Sequence, residues 1–266
     1  MVKKLIKYDF KAFAKVMIPI EIVMLGIAAL YRILSLFENR STAYSIFNGS
    51  AIAILVISIV TAVLMTFIYS IVRFYKNLFT TEGYLSFTLP VTVQAHVISK
   101  LVVSLIFDFI TLVCAFAAFS VATLGDVFAE TLKAGAYLFG RAHDAIGGQI
   151  FLYCLEALIL LIVYLAAAHL LTYMCISIGQ TANKHKILLA IGIFFGVYVV
   201  KQIIGTAVIT VGVTTDLFDF IEQLLTRHTK AFFHGVFCLG ILIECLLAAI
   251  YSFVTNVMMK KKLNLQ

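Results

Sequence analysis

Six stretches of this chain, residues 16–37, 46–72, 97–124, 149–177, 187–213 and 231–257, are each apolar over about 20 residues or more. That is the length a helix needs to cross a bilayer's hydrocarbon at about 1.5 Å per residue. Backbone polar groups in lipid must be satisfied within the segment, so these runs predict helices. The alternating ten-residue pattern of a membrane barrel does not occur. Hydrophobic residues make up 63% of the 266 and charged residues 12%. The mean hydropathy is +1.08. A single water-exposed domain usually carries about 25% charged residues, so lipid must solvate much of this surface. The fold class that follows is an all-α integral membrane protein with six transmembrane helices, its transmembrane domain covering 16–266. The first apolar run is too long for a signal-peptide core and lacks a small-residue cleavage motif. With 23 Phe, 12 Tyr and no Trp, any interfacial aromatic belt is built from Tyr and Phe.

Basic residues fix the expected orientation. With the N-terminus inside, the inner segments hold Lys3, Lys4, Lys7, Lys11, Lys15, Arg73, Lys76, Lys100, Lys184, Lys186 and Lys260 to Lys262. The outer segments hold Arg40, Lys133, Arg141, Arg227 and Lys230. That is thirteen against five, which places both termini in the cytoplasm of a cell whose plasma membrane the chain crosses. Residues 1–15 read as an amphipathic interface helix. Leu5, Ile6, Phe10, Phe13 and Met17 share one side, and Lys4, Lys7, Lys11 and Lys15 face anionic headgroups on the other. Outside, residues 214–230 form a second amphipathic segment, with Leu217, Phe218, Ile221, Leu224 and Leu225 at helical spacing and Thr214 or Thr215 as its cap. The stretch DVFAETLKAGAYLFGRAHD is similar but weaker.

The cytoplasmic segment between spans two and three, 73–96, is the most distinctive. Pro90 lacks an N–H and disfavours a helical residue before it, so a helix through Gly83 to Thr88 must end near Leu89. Thr92 can cap a new helix running into the third span. The expected product is a rigid elbow, with Glu82 placed to pair with Arg73 or Lys76. The sequence TTEGYLSFTLPVTVQAHVISK resembles the first cytoplasmic loop of permease subunits in type-2 ATP-binding-cassette exporters of Gram-positive type. The family pattern falls here on Glu82, Gly83, Leu85, Thr88, Leu89, Pro90 and Lys100, with Tyr84 inside it, and covers about a tenth of the chain. The resemblance implies a coupling loop docking a separate ATPase, and a dimer of six-span subunits, either two copies or this chain with a paralogue. The cargo it implies is amphipathic or hydrophobic: an antimicrobial or cytolytic peptide, a drug or a lipid. Short outer loops argue against polysaccharide.

No G-x-x-x-x-G-K-[ST] occurs, so ATP and Mg would be bound by the partner subunit and this chain would hold no cofactor and no catalytic residue. The other expected contact is membrane lipid, not nucleic acid. The alternative is an ion-gradient-driven secondary transporter, for which matched Gly/Pro-broken repeats are expected and not seen. An intramembrane enzyme ranks last, since no HExxH or GxSxG motif is present. Five Cys lie singly in apolar runs and read as small core hydrophobes.

Ionisable residues inside spans are candidates for function or for structural pairing. Here they are Glu21 and Asp108 in the inner half, Glu156 and Lys201 in the outer half, Glu244 near the middle, and His169. Arg32 is close enough to the outer surface to snorkel. As the deep cation, Lys201 is expected to pair with Glu156 or Glu244. A lone His169 is expected to be hydrogen-bonded rather than to ligate a metal.

Overall fold

A computed structural model describes residues 2–36, 42–80, 82–83, 88, 91–182, 184–215, 221, 223, 227 and 229–261. Among these the chain is helical, with no strand. The helices are α1 (Val2–Ser35), α2 (Thr42–Phe79), α3 (Val93–Ala122), α4 (Asp126–Ile146), α5 (Ile150–Gly179), α6 (Lys186–Thr214) and α7 (Thr229–Lys261). All but α4 are long and apolar enough to cross a membrane, which makes this a multi-pass membrane protein. The chain divides into two compact units, Met1–Phe74 with Gln94–Arg141, and Tyr75–Val93 with Ala142–Gln266.

In the first unit, α1 is one uninterrupted helix with Pro19 inside it. There is no break at 15/16, where the interface segment was expected to hand over to the span. Its 34 residues extend about 51 Å at 1.5 Å each, which exceeds a hydrocarbon core of about 30 Å. Asp9, Phe13, Met17, Glu21, Met24 and Ala28 form one buried stripe at steps of four and three, the spacing that lines up one helix face. Lys4, Lys7, Lys11 and Lys15 are exposed.

Two clusters fix the register. Phe13 and Met17 pack on Val103 and Phe107, with Tyr69 at the edge. Met24 and Ala28 pack with Leu55, Ala62, Ala118 and Ala122. Numbers rise together in α1 and α3 and fall in α2, so α1 and α3 run parallel with α2 antiparallel to both. The alanines let the backbones approach closely, which replaces the missing hydrophobic drive between helices in lipid. The Phe13 ring is held from two sides, stacked on Phe107 at 4.5 Å and edge-on to Tyr69 at 4.8 Å.

In the second unit, α5 packs against α7 and α6. Tyr153 meets Phe233, His234 and Phe237, and Leu160 lies against Gly240. Contacts again advance together, so α5 and α7 are parallel. Helices α5 and α6 form a hairpin closed by Gln180, whose N–H donates to Ile176 O, and by His185 in the left-handed region (φ 58°). Along α6 only Gly212 is buried, and Ile187, Phe195, Tyr198, Ile204 and Val208 point outward. An apolar helix exposed on this scale is stable in hydrocarbon and not in water.

Several expected boundaries shift. Residues 73–79 continue α2 and 93–96 open α3, leaving 80–92 as the connection. The run RFYKNLF carries no helix breaker, so nothing stops α2 before Thr80, whose hydroxyl donates back to Lys76 O. The weak outer stretch is helical as α4, largely exposed. Most of the 216–228 stretch lies outside the described residues. At the end of α6 the Thr214 hydroxyl donates to Thr210 O and the Thr215 hydroxyl to Val211 O.

Candidate functional site

The densest polar site in the first unit stands on Asp9. Its carboxylate is 5% exposed and collects three donors from two other helices. Arg73 Nη2 of α2 lies 3.0 Å from Oδ1, Lys100 Nζ of α3 lies 3.3 Å from Oδ1, and Ser99 Oγ donates to Oδ2 at 2.8 Å. A small cavity of about 10 Å³ opens beside them, bounded by Phe13, Ser70, Phe74, Val103 and Ser104. That is close to the space one water needs. Ser70 and Ser104 face each other at 2.5 Å, and Ser104 also donates to Lys100 O. Two cations against one carboxylate leave a formal charge of +1 at this node. Arg73 lies six residues before the end of α2 and Lys100 seven residues after the start of α3, so one α1 side chain fastens both helices within the first unit.

Of the elbow residues, Glu82 and Thr88 are helical and exposed, and Gly83 is buried, its N–H donating to Thr80 O at 2.7 Å. Tyr84, Leu85, Leu89 and Pro90 lie outside the described residues. Val93 is the first helical residue of α3, which puts Thr92 in the capping position. The Arg73 guanidinium, which with Lys76 was one of the two partners expected for Glu82, makes an ion pair with Asp9.

Deeper in the first unit, Glu21 is 4% exposed. Its Oε1 lies 2.5 Å from Thr111 Oγ1, which lies 2.8 Å from Thr66 Oγ1, and Thr66 donates to Ala62 O at 2.9 Å. Cys114 also sits beside Glu21. Asp108 is half-buried on α3, one turn before Thr111.

In the second unit, Glu156 Oε1 is 2.7 Å from His234 Nδ1. The imidazole stacks on Tyr153 at 4.4 Å, and the Tyr153 hydroxyl donates to Lys230 O at 3.0 Å. The expected Lys201 pair with Glu156 or Glu244 therefore does not form. Glu156 and His234 face each other because α5 and α7 are neighbours, whereas Lys201 is on the exposed side of α6 with no carboxylate at ion-pairing distance among the described residues. Replacing it should then cost little: Lys201→Met is expected to change unfolding free energy by no more than about 0.5 kcal/mol. A thermal or denaturant melt in detergent measures this, and a loss of several kcal/mol would show a partner.

Glu244 is half-buried and, with Ala157, Leu160, Tyr164 and Phe237, lines an open groove between α5 and α7. His169 is fully buried, its ring 6.2 Å from that of Tyr173. Among the described residues no three His, Cys, Asp or Glu side chains are grouped to hold a metal ion.

Sequence reasoning missed Asp9, Ser99, Thr66, Thr111 and His234. Asp9 did leave a signal, since it precedes Phe13, Met17 and Glu21 at steps of four. No family model, no curated protein and no solved structure matches this chain.

Proposed function

We propose that this chain is the membrane-spanning subunit of a type-2 ATP-binding-cassette exporter. The observation that carries the reading is the Glu82 to Pro90 stretch, lying between the second and third of six membrane-length helices. The Asp9 node supports it. A coupling loop must transmit force rather than absorb it, and here both helices that bear the loop are fastened to a third by buried charge. The basic arm, Lys4 to Lys15, shares that end of the first unit, as an interface helix on the cytoplasmic face requires. Both termini then face the cytoplasm, in the plasma membrane.

In this mechanism a separate ATPase binds ATP and Mg and docks on the 80–92 connection. Its closure pushes the connection, and the helices shift to release an amphipathic or hydrophobic cargo outward. A second copy or paralogue completes the twelve-span pore. The chain itself performs no chemistry.

Affinity purification of the tagged protein in mild detergent, from cells expressing its genomic neighbours, tests the reading. The expected result is a stoichiometric P-loop ATPase. A preparation with no ATPase would remove the reading in favour of a gradient-driven carrier. Glu82→Ala and Pro90→Ala should each lower cargo-stimulated ATP hydrolysis about tenfold while insertion is unchanged. That corresponds to losing about 1–2 kcal/mol from a docking contact. Wild-type coupling in both variants would remove the elbow from the mechanism.

A further inference from the structure

Two charges of opposite sign lie at mid-membrane depth in the second unit without an ion-pair partner among the described residues. Lys201 stands near the midpoint of α6 (Lys186–Thr214), about 20 Å from either end, and is exposed among the outward-facing Tyr198, Val200 and Ile204. That depth is too great for its stem to carry the ammonium to the interface. Glu244 stands near the midpoint of α7 (Thr229–Lys261), half-buried. It is the one charged group lining the open groove of about 560 Å³ between α5 and α7, whose other walls include Leu160, Leu161 and Phe237. Ionisable groups at such depth pair with one another or face a water-filled cavity.

Their heights match. Leu160 of α5 is level with Gly240 of α7, and Gly179 of α5 is level with Lys186 and Ala190 of α6. With α7 parallel to α5 and α6 antiparallel to it, Lys201 and Glu244 fall within about 3 Å of one height. Two copies of a membrane protein share one orientation, so a two-fold axis relating them must run along the membrane normal. Such an axis leaves every height unchanged, and only residues level with each other can meet across it. A two-fold contact also repeats itself: what one copy offers, its partner receives.

We infer that two copies of this chain associate through α6 and the α5–α7 groove, Lys201 of each copy pairing with the Glu244 carboxylate of the other. The two pairs neutralise four charges that would otherwise face lipid or an apolar groove. Along α6 only Gly212 is buried within its own chain, so the helix is free to seat against another. The inference deepens the exporter reading, on whose second copy it rests, by choosing a copy of this chain over a paralogue. Since the pair lies between copies, its loss is read in association and not in the unfolding of the single chain.

Co-purification of two differently tagged full-length copies from one membrane, in mild detergent, tests it. Native copies should co-purify. Lys201→Glu alone and Glu244→Lys alone should each lower the yield of mixed pairs more than about tenfold, because like charges then meet twice. Co-expressing a Lys201→Glu copy with a Glu244→Lys copy should restore it, since both pairs re-form between them with their signs exchanged. A pair formed inside one chain cannot be rescued in that way, so rescue only when both changes sit on the same chain overturns the inference. Native copies that do not co-purify overturn it too, as does native-like association of either single variant. If the reversals do not insert, Lys201→Met and Glu244→Gln decide. Each should lower association about tenfold, and native-like association of both overturns the inference. No ATPase enters this readout, so its absence would remove the exporter reading and leave the pairing of copies to stand or fall by itself.

Discussion

Asp9→Asn should lower the unfolding free energy of the purified protein by about 3–5 kcal/mol, the cost of breaking a buried ion pair from one side. The carboxylate is 5% exposed and faces Arg73 and Lys100 at 3.0 and 3.3 Å. Both cations are largely buried, with side-chain exposures of 16% and 6%, so solvent screening rescues little. Without Asp9 they repel each other across a site whose formal charge rises from +1 to +2. Arg73→Met is the informative contrast. It leaves Lys100 and Asp9 as a balanced pair and should cost less than Asp9→Asn, although it removes more atoms. Ser99→Ala removes one 2.8 Å hydrogen bond and should cost about 1–3 kcal/mol. Denaturant titrations in detergent give the order. An Asp9→Asn protein as stable as native would mean that the node is solvated and holds nothing.

Gly179→Ala carries the second large effect, and two opposing terms decide its sign. Ala is favoured over Gly in a helix by about 0.8–1.0 kcal/mol. A Cβ on Gly179, however, would stand 2.7 Å from Lys186 O and 2.8 Å from the Ala190 Cβ. One of these is a backbone carbonyl and neither can rotate away, so the α5 and α6 backbones must move apart. Overpacking of this kind costs about 1–3 kcal/mol, and the expected outcome is net destabilisation of up to about 2 kcal/mol. Two other glycines act as controls. A Cβ on Gly240 meets only the Leu160 methyls, at 3.3 and 3.7 Å, the far end of a flexible chain, and a Cβ on Gly192 has no packing neighbour within 4 Å. Both should be neutral or stabilising. If Gly179→Ala melts above native while the controls do the same, α5 and α6 are not in close contact there.

The six membrane-length helices could be read in the sequence because lipid imposes length and apolarity together, and few other folds satisfy both. The ends of the helices were less legible. Arg73 to Phe79 look like a loop because they are charged and aromatic, yet the same residues extend a helix into the interface, where Arg and Tyr are at home. The polar contacts were legible only within a helix. Asp9 was overlooked because residues 1–15 sort so readily into a lysine face and an apolar face; its place at the head of the buried stripe is a spacing of four. Lys201 was paired with Glu156 or Glu244 on economy of charge. That argument ignores which helix faces meet: Lys201 is on the exposed side of α6, and the parallel packing of α5 on α7 gave Glu156 to His234. Glu21 was recognised as costly, but its threonine partners are ordinary residues of apolar runs until three helices bring them together.

The Asp9 node also sets a schedule for synthesis. Asp9 is made 64 residues before Arg73 and 91 before Lys100. At roughly 5–20 residues per second, the first helix waits about 3–13 s for one partner and about 5–18 s for the other. Throughout that interval it presents an unpaired carboxylate at the level where its buried stripe begins. The first span is therefore threaded before it is anchored, and its final depth and rotation are settled only once the third span has followed it in.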